Sequence, residues 1–274
     1  MNTKPIKFNN TIEHFSTYTP VQLLNTGSRT SVYLAWCASR KCYVIIKTAK
    51  EGMSERNCKK WIEREADFLK EAKHPYIIHL YEHISQPFHA IVEEYYPYST
   101  LFSYVKSRHH HLMWYEVTSI LDKLLSVIYY IHSSGYVHLD IKLKNILYDN
   151  NNFKLLDYGF IRKPGIYGRL GTRQTMSPES SRREFIDFSA DIWGIGIVMF
   201  YILTGQYPYD FSNTENTHPQ QDIEPKKISD LVDLPDWFCK MITAMLAFKA
   251  EDRPSAADLC DQLAVRKHIH YPIK

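Results

Sequence analysis

The stretch His138-Leu139-Asp140-Ile141-Lys142-Leu143-Lys144-Asn145, "HLDIKLKN", sets an acid, a cation two residues on, and an amide three further. Working back from it, "WYEVTSILDKLLSVIYYIHSSG" repeats apolar residues at helical spacing. That pattern predicts an amphipathic helix ending at Gly135. Working forward, "NILYD" and "FKLLD" are two short strand-like pieces, and the second delivers Asp157. Helix, polar loop and short strands form the centre from which the rest is read.

Further upstream, "VQLLNTG", "SVYLAWC" and "CYVIIKT" are strand-like, with turn residues between them. In "SERNCKKWIEREADFLKEA", Trp61, Ile62, Ala66, Leu69 and Ala72 recur at helical spacing, and Pro75 closes the segment. Two more strand-like runs end in "AIVEEYY", and beyond Pro97 the pattern turns mostly helical. The run Ile192 to Leu203 is apolar but too short to span a bilayer, so it reads as a buried core helix. A β-rich half before a helical half predicts an α+β, two-lobed chain with a ligand cleft between the lobes, joined through "VEEYYPYS".

The 274 residues are 45% hydrophobic and 23% charged, with a net charge of +3. This is enough apolar material for a sizeable core, and it excludes a disordered chain or a strongly basic nucleic-acid binder. Five cysteines, Cys37, Cys42, Cys58, Cys239 and Cys260, form no C-x-x-C pair and read as reduced thiols of an intracellular protein. The opening "MNTKPIKFNN" has no apolar core of a signal peptide.

The polar residues suit one kind of chemistry. Moving a γ-phosphoryl group requires a grip on the triphosphate, a site for Mg2+ and an oriented hydroxyl. Asp140 can accept or orient the hydroxyl proton, and Lys142 can place positive charge beside the moving group. Asn145 and Asp157 offer oxygen to Mg2+, with Gly159 expected to let the backbone turn sharply. Lys47 ends the strand-like "VIIK" and can grip phosphates, and Glu65 is the helix carboxylate that would fix it.

In this order the motifs resemble those of eukaryotic-type protein kinases over roughly residues 18–265. Lys47 matches the strand lysine, Glu65 the glutamate of helix C, "HLDIKLKN" the catalytic loop, and "DYG" the magnesium loop. "SPE" (Ser177 to Glu179) matches the end of the activation segment, and "DIWGIG" (Asp191 to Gly196) the start of a buried helix. Arg253 is similar to the arginine that pairs with Glu179. The resemblance implies a bilobal fold: a polar arm at 1–14, a small β-rich N-lobe with helix C at 15–95, and a larger, mainly helical C-lobe at 96–274. It implies ATP and Mg2+ as cofactors.

Lys142 in D-x-K-x-x-N, together with Thr172 in "GTRQTMSPE", is the serine/threonine pattern. Thr172 is expected to contact Asp140 and Lys142. The nucleotide is expected to meet Asn25, Gly27, Val32, Ile45, Lys47, Glu65, Glu94, Tyr96 and Leu147. Of these, Val32, Ile45 and Leu147 sandwich adenine, Glu94 to Tyr96 form the hinge, and Glu93 is an unusual gatekeeper. The compact size and the spelling "HLDIKLKNILYD" are further similar to the very late serine/threonine kinases of baculoviruses. That likeness implies a protein substrate, an arginine-rich DNA-packaging protein in the virus particle, and the cytoplasm or nucleus of an infected cell, or the virion. It implies neither direct nucleic-acid binding nor a membrane.

Three departures stand out. The phosphate loop, Asn25-Thr26-Gly27-Ser28-Arg29-Thr30-Ser31-Val32, keeps one glycine of G-x-G-x-x-G-x-V. Its 20-residue spacing to Lys47 still fits, so weakened rather than abolished ATP binding is expected. Asn25 tolerates unusual backbone angles, a mild loss, and Gly27 is where backbone N–H groups would approach phosphate. Leu139 replaces the arginine that binds a phosphorylated activation loop, so activity without loop phosphorylation is expected. Tyr158 stands for phenylalanine after Asp157 and should pack with His138, Leu69 and Leu80.

The rival readings are a pseudokinase scaffold or ATP-binding regulatory module, favoured by the eroded loop, and a small-molecule kinase, disfavoured by "SPE" and Arg253. His109, His110 and His111 read as a solvated loop before a metal site. The acids Asp210, Glu215, Asp222, Glu224, Asp230, Asp233 and Asp236 read as solvated surface, with steering of a basic substrate as the sharper alternative.

Overall fold

The computed structural model describes residues 17–27, 29–50, 55–85, 89–109, 112–150, 152–212, 220 and 223–266. The arm at 1–14, Ser28, His110, His111, Glu215 and Asp222 lie outside the described residues. The chain divides into two compact units, Met1–Lys73 with Ile77–Pro97, and His74–Tyr76 with Tyr98–Lys274.

The first unit is an antiparallel five-stranded sheet of order β1-β2-β3-β5-β4, built from β1 (Tyr18–Thr26), β2 (Thr30–Cys37), β3 (Cys42–Ala49), β4 (Leu80–Ile84) and β5 (Ala90–Glu94). Alternation divides its two faces. Ala35, Cys37, Val44, Ile46, Ala90 and Val92 point one way and join Tyr18 in an apolar cluster. Register places Val32 opposite Lys47, Ile91 opposite Lys47 on the other side, and Glu93 opposite Ile45. These five therefore share the other face. Helix α1 (Glu55–Glu71) buries Ile62, Glu65, Ala66 and Leu69, a three-and-four spacing that sets a carboxylate within its apolar stripe.

The second unit is mainly helical. It contains α2 (Leu101–Ser107), α3 (Trp114–Ser133), α4 (Pro178–Arg182), α5 (Ser189–Thr204), α6 (Asp236–Met245) and α7 (Ala256–Arg266). Two small hairpins interrupt them, β6 (Ile146–Asp149) with β7 (Asn152–Leu155), and β8 (Ile166–Tyr167) with β9 (Phe185–Ile186). Helix α3 stops as the sequence pattern predicts, with Gly135 at φ 77 just beyond its end. Every residue of α5 from Ala190 to Ile202 is buried. A helix apolar on all sides belongs in a core, and α5 is the pillar that other site elements are tied to. Among the described residues, no helix is long and apolar enough to cross a membrane.

Candidate active site

The site is built separately in each unit. In the first, Lys47 on β3 is only 6% exposed, and its ammonium donates to both oxygens of Glu65 on α1, each at 2.8 Å. Two buried opposite charges are tolerable because each answers the other's desolvation. The pair fixes the Lys47 ammonium beside a half-exposed strip formed by Val32 and Ile45 on the same sheet face. Glu93 lies on this face too, 7% exposed. Glu94, the last residue of β5, donates its backbone N–H to the His79 carbonyl at 2.9 Å. Its carboxylate accepts the His79 N–H at 2.7 Å, so any hinge contact from Glu94 would use its carbonyl. Tyr96 follows two residues beyond the strand, half-buried.

The phosphate loop differs from expectation in two respects. Asn25 sits in regular strand pairing opposite Val32, beside a bulge, and uses no left-handed backbone. The Gly27 N–H donates to the Thr30 carbonyl at 2.9 Å, closing the turn, so that N–H serves the loop itself. Gly27 also has no positive φ, and a Cβ there would meet the Thr30 carbonyl oxygen at an ordinary 3.5 Å and its hydroxyl at 4.0 Å. The fold alone therefore does not require glycine at 27.

In the second unit, "HLDIKLKN" forms a tightly held loop. The Asp140 carboxylate is 2% exposed. The Thr172 hydroxyl donates to its Oδ1 at 2.6 Å, Lys142 Nζ donates to its Oδ2 at 2.6 Å, and Asn145 Nδ2 reaches the same oxygen at 3.0 Å. Lys142 also donates to the Thr172 oxygen at 2.7 Å. Asp140 is thus oriented by three side chains and kept beside a positive charge.

The loop backbone hangs from α5. Asp191 accepts the His138 N–H and the Leu139 N–H, both at 2.8 Å, and lies 3.0 Å from His132 Nε2. These bonds hold Leu139 in the left-handed region, φ 68, a conformation that non-glycine residues rarely adopt. Gly171, at φ 102, passes so close that a Cβ there would lie 2.4 Å from the Leu139 carbonyl. That contact sets the neighbouring Thr172 against Asp140. The anchoring role of Asp191 and His132 was not read from the sequence; an acid in the first turn of a buried helix is the signal that could have raised it.

The two magnesium candidates flank the open end of the β6–β7 hairpin. Ile146 pairs with Leu155, and the Leu156 N–H donates to the Asn145 carbonyl at 2.8 Å. Asn145 precedes one strand and Asp157 follows the other. With the Asn145 amide nitrogen committed to Asp140, the remaining polar atom of its side chain is an oxygen, which suits Mg2+. The sharp turn is made by Asp157 itself, φ 65, while Gly159 adopts no left-handed angle. This corrects the expected role of Gly159. Among the described residues no group of three or more His, Cys, Asp or Glu could hold a metal, His109 included. Mg2+ on one carboxylate and one amide, completed by phosphate and water, needs no such cage.

Tyr158 is fully buried, stacks edge-on to His138 at 5.0 Å, and donates its hydroxyl to the Leu155 carbonyl at 3.0 Å. The extra oxygen relative to phenylalanine is thereby satisfied. Burial pushes the His138 imidazole below its ordinary pKa, against the opposing pull of Asp191, Asp140 and Asp157. Leu147, two residues past Asn145, is half-buried in β6. Arg253 grips Glu179 through two bonds of 2.8 and 2.9 Å, with both groups buried. The same guanidinium donates to the carbonyls of Ala247, Ser189 and Phe248 and lies over Trp193.

Leu139 is 8% exposed and joins Val137, Ile186 and Ala190, against which Phe160, Ile166, Leu170 and Phe188 pack. An apolar cluster thus ties catalytic loop to activation segment where the family pattern places an arginine.

The protein kinase domain family model matches residues 18–263. Over 251 residues the chain is 31% identical to a Saccharomyces cerevisiae protein named as a candidate serine/threonine-protein kinase, YPL150W, covering 88% of this chain and 27% of that one. It is 33% identical over 161 residues to the maternal embryonic leucine zipper kinase of Xenopus laevis, covering 56% and 25%. It is 31% identical over 230 residues to a candidate serine/threonine-protein kinase/receptor, R826, of Acanthamoeba polyphaga mimivirus, covering 81% and 14%. The chain therefore spans between 14% and 27% of the length of these relatives. With a buried Lys47–Glu65 pair, an Asp140 held by Lys142, Thr172 and Asn145, and a Glu179–Arg253 clamp, the chain belongs to the protein kinase family.

Proposed function

We propose that the protein transfers the γ-phosphoryl group of ATP to serine or threonine hydroxyls of protein substrates. The observation that carries this reading is the Asp140 carboxylate, fixed by Thr172 at 2.6 Å and Lys142 at 2.6 Å. When bound, ATP supplies the phosphoryl group and Mg2+ neutralises its charge. Asp140 would orient the substrate hydroxyl and take its proton as the new O–P bond forms and the bond from the γ-phosphorus to the bridging oxygen breaks, with ADP as the leaving group. Lys142 stabilises charge on the transferring group. Lys47, fixed by Glu65, would hold phosphates; Asn145 and Asp157 would hold Mg2+. Val32, Ile45 and Leu147 would flank adenine, and Glu94 and Tyr96 would supply the hinge contacts. Such preorganised charge is worth several orders of magnitude in rate.

Activity without activation-loop phosphorylation is part of the proposal. The Leu139 side chain offers a phosphate no cationic partner and is already buried. The threonines and serine between Asp157 and Glu179 are also occupied. Thr172 binds Asp140, Thr175 is 7% exposed, and Ser177 is 2% exposed and caps α4. A phosphatase-treated enzyme should keep its full rate; loss of activity would sink this part.

The substrate is proposed to be basic, and the likeness to the very late kinases of baculoviruses extends the proposal to an arginine-rich packaging protein in an infected cell or virion. Asp210, Glu224, Asp230, Asp233 and Asp236 support steering of such a substrate only through charge. Neutralising three of them should raise KM for a basic peptide at low salt, and an unchanged KM would exclude steering.

A further inference from the structure

The phosphate loop poses a problem that the kinase reading leaves open. It lacks two glycines, and its remaining glycine N–H is spent inside the turn. Something else must define where the loop sits. At its tip, the Arg29 guanidinium lies over the Trp61 indole, 4.2 Å from the ring centroid. The Arg64 guanidinium lies 5.4 Å from the same ring. Both side chains of the close contact are half-buried, where cation–π attraction exceeds its value at a fully wet surface. The Arg29 backbone is fixed as well, its carbonyl accepting the Lys50 N–H at 2.8 Å.

Trp61 lies one helical turn before Glu65 on α1. Glu65 holds Lys47, and Lys47 pairs across the sheet with Val32, the last residue of the loop. Loop tip, indole, carboxylate and lysine therefore form a closed circuit within one unit. We propose that Arg29 and Trp61 are positioning residues, a latch that docks the phosphate loop on α1 and couples its position to the Lys47–Glu65 pair. This rests on the reading of the loop as the nucleotide's phosphate site. The latch replaces, by side-chain stacking, the definition that glycines give by close backbone approach. It also keeps a cation at the loop tip.

The test uses the full chain, with Arg29→Ala, Arg29→Lys, Trp61→Ala and Trp61→Phe. The first readout is hydrogen exchange of the amides around residues 24–34, which does not depend on catalysis. Trp61→Ala and Arg29→Ala should both speed exchange there while leaving the melting temperature in place, and Trp61→Phe should largely restore protection. The second readout is KM for ATP against kcat. Trp61→Ala should raise KM for ATP by roughly three- to thirty-fold, the range that a partly desolvated cation–π contact corresponds to, with kcat little changed. Arg29→Lys, which keeps the charge but loses the flat stacking group, should rescue only in part.

Unchanged exchange in Trp61→Ala would overturn the latch whatever the enzyme does. Full rescue by Arg29→Lys with a silent Trp61→Ala would overturn it in favour of charge alone. A wild type that protects the loop yet transfers no phosphate would defeat the kinase reading and leave the docking contact standing.

Discussion

Replacing Gly171 by alanine tests how far catalysis depends on one backbone contact. The new Cβ would sit 2.4 Å from the Leu139 carbonyl oxygen, when such atoms essentially never come within 3.0 Å. Segment or loop must then give way by about half an ångström or more, and a misplacement of about 1 Å costs on the order of a hundredfold in rate. Gly171 also has φ 102, so alanine adds backbone strain of about 1–3 kcal/mol. Thr172 is the next residue, and its 2.6 Å bond to Asp140 would be the first to suffer. The expected result is a fall in kcat of roughly ten- to a hundredfold. Lys47 and Glu65 lie in the other unit, so KM for ATP should stay within about twofold. Gly168→Ala is the control: its φ is 146, but a Cβ there meets nothing within 4 Å. It should lower stability through strain and leave kcat nearly intact. Steady-state rates and thermal melts of both variants decide the matter. A Gly171→Ala enzyme with wild-type kcat would refute the claim that this contact sets Thr172 on Asp140.

Other consequences are equally open to measurement. Arg253→Ala leaves Glu179 buried and uncompensated, so urea unfolding of the second unit should show a loss of about 3–5 kcal/mol. Leu139→Arg forces a guanidinium into the cluster of Val137, Ile186 and Ala190; it should destabilise the protein by several kcal/mol and lower activity rather than add a phosphate-dependent switch. Because burial lowers the His138 pKa, the unfolded chain binds that proton more readily than the folded one. Stability should therefore decline as pH drops below about 6.5, and His138→Phe should flatten the decline. Glu65→Gln keeps the shape of the helix contact but removes the charge that fixes Lys47. KM for ATP should rise while Asp140 and its partners stay in place, as crystallography or NMR of the second unit would check.

The sequence made the local constellations readable. Asp140, Lys142 and Asn145 lie within six residues, so their spacing already implies a shared site. Lys47 with Glu65, 18 residues apart, was legible because a phosphate-gripping lysine needs a carboxylate to fix it and the following helix offers one, whereas Glu179 with Arg253, 74 residues apart, was legible only through resemblance to a family. What escaped was mostly backbone geometry. Glycine propensity points to Gly159 as the sharp turn, yet the left-handed angle falls on Asp157, two residues earlier. Likewise Gly27 suggests an open N–H for phosphate, but the turn closes on itself through Thr30. Leu139 reads as a missing charge in the sequence; only packing reveals the apolar cluster it completes. The Asp191 anchor stayed hidden because its acceptor oxygens serve backbone N–H groups more than 50 residues away, which no side-chain pattern records.

If Asp140, as held by Thr172 and Lys142, drives phosphoryl transfer, its removal must abolish the reaction. The most direct measurement is transfer of labelled γ-phosphate from ATP with Mg2+ to a panel of basic and acidic proteins, with wild type and Asp140→Ala run side by side. Label on serine or threonine is expected with wild type, and near-complete loss with the variant. Equal labelling by the two proteins, or none by either, would contradict that role of Asp140 and favour a scaffold that keeps the kinase fold without its chemistry.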